Sequence, residues 1–240
     1  MRKRTAVVSS PMNATPHQQI PLRIGLRDSA TFVNFHPGPN AAVVHALQSA
    51  SEPFIYLGGV QGSGRSHLLQ AACHAVSEKG DMAAYLPLGE CLAMSSQMLE
   101  GMEQMSLLAL DDVELLAGNS EWEQALFHLY NRMRDAGHRM IVAGNAAPAA
   151  LGITLPDLLS RLGWGPVFQL QPLGDREKAE TLCMRAKQRG MELSGEVADY
   201  LLNHASRDMH DLFELLDRLD EGSLAAQRKL TIPFVRDFIR

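Results

Sequence analysis

The sequence predicts a parallel α/β sheet with flanking helices, followed by a small all-helical unit. Three observations predict it. Short apolar runs alternate with helical periodicity as far as Pro172, which is the pattern of successive βαβ units. Beyond Pro172 only helical spacing remains. Within the first part lies a glycine-dense stretch, Gly58 to Gly64, preceded by an apolar run and followed by an apolar-periodic helix. A strand enters a phosphate-binding loop in this way.

Bulk composition fits a chain with a real core. Its 240 residues are 46% hydrophobic and 20% charged, with a net charge of -5. That acidic balance argues against binding nucleic acid through the overall field. Cys73, Cys91 and Cys183 are far apart and match neither a disulfide framework nor a zinc spacing. They suit a reducing cytoplasm. No apolar run reaches transmembrane length and the start is too short for a signal peptide, so a cytoplasmic, membrane-free protein is expected.

In chain order, residues 1–18 are rich in Ser, Pro, Asn, Thr and Gln and read as a disordered arm. Residues 19–24, Gln19-Ile20-Pro21-Leu22-Arg23-Ile24, form an apolar extended peptide on that tether. The residues alone allow two uses: insertion into a partner's groove, or packing on the chain's own domain. The α/β domain is expected over 25–172. Phe32 and Phe35 anchor its start, Pro37-Gly38-Pro39 turns the chain, and a helix runs from Ala41 to about Ala50. Phe54 to Leu57 is a buried strand, and a helix begins at Ser66 and closes at Gly80. Ala83 to Leu88 reads as a second buried strand, and Ser106 to Leu110 as a third. Ser120-Glu121-Trp122-Glu123 is a capping box opening a long helix ended by Gly137. The strand Met140 to Gly144, a short helix from Pro156 to Leu162, and a last strand from Val167 to Leu170 complete the domain. The helical unit over 173–240 carries helices closed by Gly190 and Gly222 and a final helix from Thr231-Ile232-Pro233.

Two stretches carry chemistry. Gly59-x-x-x-x-Gly64-Arg65-Ser66 spells a P-loop with Arg65 in place of lysine. Gly59, Gly62 and Gly64 free the backbone to turn its N–H groups inward around Ser63, and the helix through His67 adds its positive end. Ser66 offers a hydroxyl to Mg2+. Arg65 keeps the charge but replaces a compact ammonium with a planar fork. The second stretch is the apolar strand ending in Asp111-Asp112, a Walker B pattern. Asp111 would hold the magnesium shell, and Asp112 or Glu114 would orient a water. Asn145 ends the next strand at the same sheet edge. Arg161 precedes the Gly163-Trp164-Gly165 turn, which would hold it outward; a surface salt bridge is the plainer use for it.

A P-loop α/β domain with a helical lid resembles an AAA+ module. Thr31-Phe32-Val33-Asn34-Phe35 with its Pro-Gly-Pro-Asn turn resembles the opening of the DnaA ATPase domain, that of the bacterial replication initiator. Arg161-Leu162-Gly163-Trp164-Gly165 resembles that family's arginine-finger box. Gly64-Arg65-Ser66-His67-Leu68-Leu69 and the tail Ala226 to Val235 resemble its Hda branch, the regulatory inactivators of DnaA. The resemblance implies that Gln19, Ile20, Leu22 and Ile24 contact the DNA sliding clamp, the polymerase III beta subunit. It implies that Arg161 stimulates hydrolysis of DnaA-bound ATP in trans while the chain itself binds ADP or ATP. It places Asn145 at sensor 1, where Asp is common, and His210 at sensor 2, where Arg is usual; Arg207 lies one turn earlier. These departures point away from efficient hydrolysis of its own ATP. No helix-turn-helix module follows the lid in this sequence, so sequence-specific DNA reading is not expected. Self-association stays open. Two alternatives also stand at this point: an AAA+ helicase or clamp-loading ATPase hydrolysing its own ATP, and a non-enzymatic clamp adaptor.

Overall fold

A computed structural model describes residues 30–226 and 229–239. The arm over 1–18 and the peptide over 19–24 lie outside the described residues.

Five parallel strands form one sheet in the order β2-β3-β4-β1-β5. The strands are β1 (Phe54–Gly58), β2 (Ala83–Pro87), β3 (Leu107–Asp111), β4 (Arg139–Gly144) and β5 (Val167–Gln169). β1 pairs with β4 from Phe54↔Met140 to Gly58↔Gly144, and β3 pairs with β4 from Leu107↔Arg139 to Leu110↔Val142. The three central strands are apolar on both faces because helices cover both. Alternate side chains divide cleanly. Ile55, Leu57, Leu107, Ala109, Ile141 and Ala143 pack under α1 (Ala41–Ser49) and α2 (Arg65–Ser77). Tyr56, Leu108, Leu110, Met140 and Val142 face α4 (Ser120–Ala136) and α5 (Pro156–Leu162). A fully buried leucine of this kind contributes about 1.5–3 kcal/mol.

Local detail departs from the sequence expectation at four places. β2 is an edge strand, with Leu86 alone fully buried, because β3 is its only partner among the described residues; it stops at Pro87, and Leu88 opens the short α3 (Leu88–Cys91). α2 ends at Ser77, so Gly80 lies in the turn beyond it. The expected capping box at Ser120 does not form. Asn119 is the N-cap, its side chain accepting from the Trp122 N–H at 3.4 Å. Glu123 turns inward instead and is fully buried. Its carboxylate accepts from the N–H groups of Gly118, Thr154 and Leu155 and from the Thr154 hydroxyl. Burial pushes that carboxyl up, but the hydrogen bonds outweigh burial and hold it below the ordinary range. One acid thus ties the loop before α4 to the loop before α5.

The lid consists of α6 (Asp175–Gln188), α7 (Gly195–His204), α8 (Met209–Ala226) and α9 (Ile232–Arg236). α8 runs through Gly222 rather than stopping there. A side chain at 222 would collide with the Phe238 ring, so this glycine permits close packing and does not cap. The junction between sheet and lid is clamped by Asn40, which is 2% exposed. Its amide donates to the Gln171 carbonyl and accepts from the Gln171 N–H, both at 2.9 Å. The Pro-Gly-Pro-Asn turn therefore docks the connection to the lid. Among the described residues no helix is long and apolar enough to cross a membrane.

Candidate functional site

The carboxyl ends of β1, β3 and β4 lie side by side, and each delivers its polar residues to one crevice. β1 leads into the glycine loop, where Gly59 donates its N–H to the Gly144 carbonyl at 3.1 Å. Gly62 and Gly64 take φ of +76° and +95°, which side chains with a Cβ strongly disfavour. A Cβ at Gly64 would stand 2.8 Å from the Phe35 ring rather than inside the loop. At Gly59 it would meet the Ser63 hydroxyl at 2.5 Å. Ser63 is 5% exposed and its hydroxyl has no partner among the described residues. A buried hydroxyl without a partner among the described residues, inside a loop with two left-handed glycines, fits a polyatomic anion.

Arg65 does something the sequence did not reveal. Its side chain crosses to the β3 acids, with Nη2 at 3.2 Å from Asp112 and Nη1 at 3.6 Å from Glu114. Asp112 adopts left-handed backbone, φ 58°. Burial pushes its carboxyl up, the neighbouring Asp111 and Glu114 add to this, and Arg65 opposes them. Glu114 in turn accepts from the Asn145 N–H at 3.1 Å, while residue 145 itself is exposed.

Asp111 is 1% exposed and accepts from the Tyr85 hydroxyl at 2.9 Å and the Asp112 N–H at 3.0 Å. Burial and the adjacent Asp111 charge push the Tyr85 hydroxyl up, so it stays a donor. A carboxylate has about four acceptor positions, so Asp111 retains capacity for a cation's hydration shell. Ser66 is exposed at the start of α2. Tyr85, facing both Ser66 and Asp111 from the edge strand, was missed in the sequence. Only an apolar strand with one hydroxyl was visible there.

The remaining sites are arranged differently from the loop. His67 points its Nε2 at the Thr31 carbonyl, 2.9 Å away, and packs on Phe35. Burial pushes its pKa down. In the lid, His210 pairs along its own helix with Glu214 at 3.2 Å, and Arg207 pairs with Asp175 at 3.1 Å. The lid side chain placed against the loop is Asp208, whose Oδ2 lies 3.2 Å from the position of a Cβ on Gly62. Among the described residues no cluster of His, Cys, Asp and Glu is built to hold a metal by itself.

Arg161 lies in the last turn of α5, half-buried. It forms no ion pair among the described residues. Its guanidinium sits 3.7 Å from the Trp164 ring centroid and 5.5 Å from that of Phe127, and its Nε is buried without an acceptor.

Comparison with known proteins accounts for both parts of the chain. Residues 26–169 match the family model of the bacterial DnaA ATPase domain, and residues 175–239 match that of the Hda lid domain. Domain III of Thermotoga maritima DnaA superposes with a TM-score of 0.75 at 22% identity, covering 90% of this chain and 99% of that one. AMPPCP-bound DnaA from Aquifex aeolicus gives 0.66 at 25% identity, covering 81% and 66%. The Thermotoga maritima RuvB branch migration motor gives 0.59 at 14%, covering 81% and 64%, a likeness of fold alone. Because the DnaA ATPase model spans more than half of its length, this chain belongs to the DnaA-related AAA+ family, and it carries a lid of the Hda kind.

Proposed function

We propose that the chain is a nucleotide-bound regulator that docks on the DNA sliding clamp and stimulates hydrolysis of DnaA-bound ATP, restraining replication initiation. The observation that carries this reading is Arg161, a guanidinium that no acid of its own chain neutralises among the described residues. A cation presented in this way stabilises the charge that grows on a γ-phosphate during transfer, and such fingers contribute about 10³–10⁵ in rate. The Hda-type lid joined to a DnaA-type ATPase domain supports DnaA as the partner.

The chain's own nucleotide is an adenine nucleotide, ADP or ATP. Support comes from the unpartnered Ser63 hydroxyl and from DnaA relatives bound to AMPPCP. Backbone N–H groups of Gly62 and Gly64 and of the start of α2 hold the phosphates, with Ser66 beside them, while the Gly59 and Ser63 N–H groups shape the loop and the Arg65 and His67 side chains flank it. Ser66 and Asp111 would hold magnesium, which neutralises phosphate oxygens when bound. Asp112 and Glu114, the acids placed to orient a water, are engaged by Arg65, and this favours weak hydrolysis of the chain's own ATP. Asn145 takes the sensor 1 position and His210 or Arg207 the sensor 2 position; both of those lid side chains are paired with acids, which also favours weak hydrolysis of the chain's own ATP. Gln19, Ile20, Leu22 and Ile24 form the clamp contact.

The test is hydrolysis of DnaA-bound ATP on clamp-loaded DNA. Arg161→Ala is expected to retain ADP binding and clamp binding and to lose the stimulation. Replacing Gln19 and Leu22 by Ala should abolish clamp binding and leave ADP binding unchanged. If Arg161→Ala still stimulates, the finger assignment is wrong.

A further inference from the structure

The Arg161 guanidinium is held without using up its hydrogen-bond donors. A carboxylate partner would engage the in-plane N–H fork, whereas an aromatic face engages the flat side of the ion and leaves the fork free. Trp164 supplies such a face in van der Waals contact, at 3.7 Å from the ring centroid. Trp164 is itself fixed. Its backbone N–H donates to the Arg161 carbonyl at 3.1 Å. Phe54 meets the indole edge-on with centroids 6.2 Å apart, and the Arg134 guanidinium lies 5.4 Å from the ring. Gly165 then packs so tightly on the Phe54 carbonyl that no Cβ fits, and Pro166 accepts from the Tyr56 N–H at 3.0 Å. Through these contacts the central strand β1 sets the position of the indole. Yet Trp164 remains 43% exposed, and Val167 beside it 46%. An exposed indole costs burial energy, and an acceptorless Nε forfeits a hydrogen bond.

We propose that Trp164 is a positioning residue for Arg161: it stacks the guanidinium, with Nε buried, so that its Nη amino groups meet the phosphate of another molecule. This rests on the reading of Arg161 as a finger acting in trans. The donors stay aligned before the partner arrives, so less ordering remains to be done at the moment of reaction. Arg161 stays the catalytic group; Trp164 acts only through it.

The experiment compares Arg161→Ala, Trp164→Leu and Trp164→Phe in the full chain. It measures stimulated ATP hydrolysis at saturating chain concentration, the half-saturating concentration, and ADP affinity. It also measures the ring-current shift of the Arg161 side-chain protons by NMR. Trp164→Leu is expected to lower the saturating rate about tenfold while half-saturation and ADP affinity stay within about twofold. Trp164→Phe, which keeps a ring face, should recover most of the rate and of the ring-current shift. An unchanged saturating rate in Trp164→Leu overturns the proposal, as does a rise in half-saturation alone, which would make the indole a docking contact. Should Trp164→Leu fail to fold, the decision passes to the ring-current shift: its absence from the wild-type chain overturns the stack. If Arg161→Ala keeps its stimulation while binding ADP, the finger reading falls first and this inference with it.

Discussion

Arg65 and Arg161 are two half-buried arginines of one α/β domain, and their surroundings are opposite. Arg65 stands where a P-loop places its phosphate-seeking cation, yet it is paired with two acids of its own chain. Arg161 stands on two aromatic rings with no acid at all among the described residues. One charge has acid partners in its own chain; the other, on the proposed reading, is kept for another molecule. A paired charge stiffens the site that holds it, whereas a stacked, unpaired charge keeps its donors for an incoming anion.

The comparison breaks most sharply at Arg161. Arg161→Ala should reduce stimulated hydrolysis by about 10³ or more while Tm falls by only a few °C (about 1–5 °C), because no ion pair among the described residues is lost and only the stacking contact with Trp164 goes. Arg161→Lys keeps the charge but not the planar fork, and should recover only a small part.

Arg65→Ala should behave the other way, with a stability loss as its main effect. It strands Asp112 and Glu114 together beside Asp111, which costs about 2–3 kcal/mol, less than a fully buried pair because Asp112 is 39% exposed. Urea denaturation measures this. The double variant Arg65→Ala with Asp112→Asn should regain part of the loss. If the single variant is as stable as wild type, the charge at 65 is not satisfied internally and the contrast dissolves.

Gly165→Ala tests the support beneath Arg161. The added methyl meets the Phe54 carbonyl, so the turn must move off β1 at a cost of about 1–3 kcal/mol. The Arg161 station should loosen while ADP affinity at the loop stays within about twofold.

Glu123→Gln should have the smallest effect at neutral pH, about 1–2 kcal/mol, from loss of charge-assisted bonds to Gly118, Thr154 and Leu155. The pH dependence gives the sign. A carboxyl held below its unfolded value of 4.5 stabilises the fold above that pH and loses its contribution as pH falls through the folded value. The wild type should therefore converge on the Gln variant below pH 4.5 in thermal melts. Parallel curves down to pH 3 would remove Glu123 from this role.

The periodicities of this chain determined its elements. Short apolar runs marked the strands, whose pleat then sends Ile55 and Leu57 to one face and Tyr56 to the other, and three-to-four-residue spacing marked α2, α4 and α8. The glycine loop and the acids ending β3 were legible because both follow from strand-end geometry and local backbone freedom. Tertiary structure alone decided where long polar side chains go. Arg65 meets an acid 47 positions away, Glu123 meets Thr154 31 positions on, and Gly222 yields to a ring from beyond α9. Arg161 too takes Phe127, from a different helix, as half of its platform. A local pattern fixes φ, ψ and the buried face within a few residues. The partner of a flexible charged side chain is chosen among whatever the folded sheet brings within 4 Å, and no neighbouring residue encodes that choice.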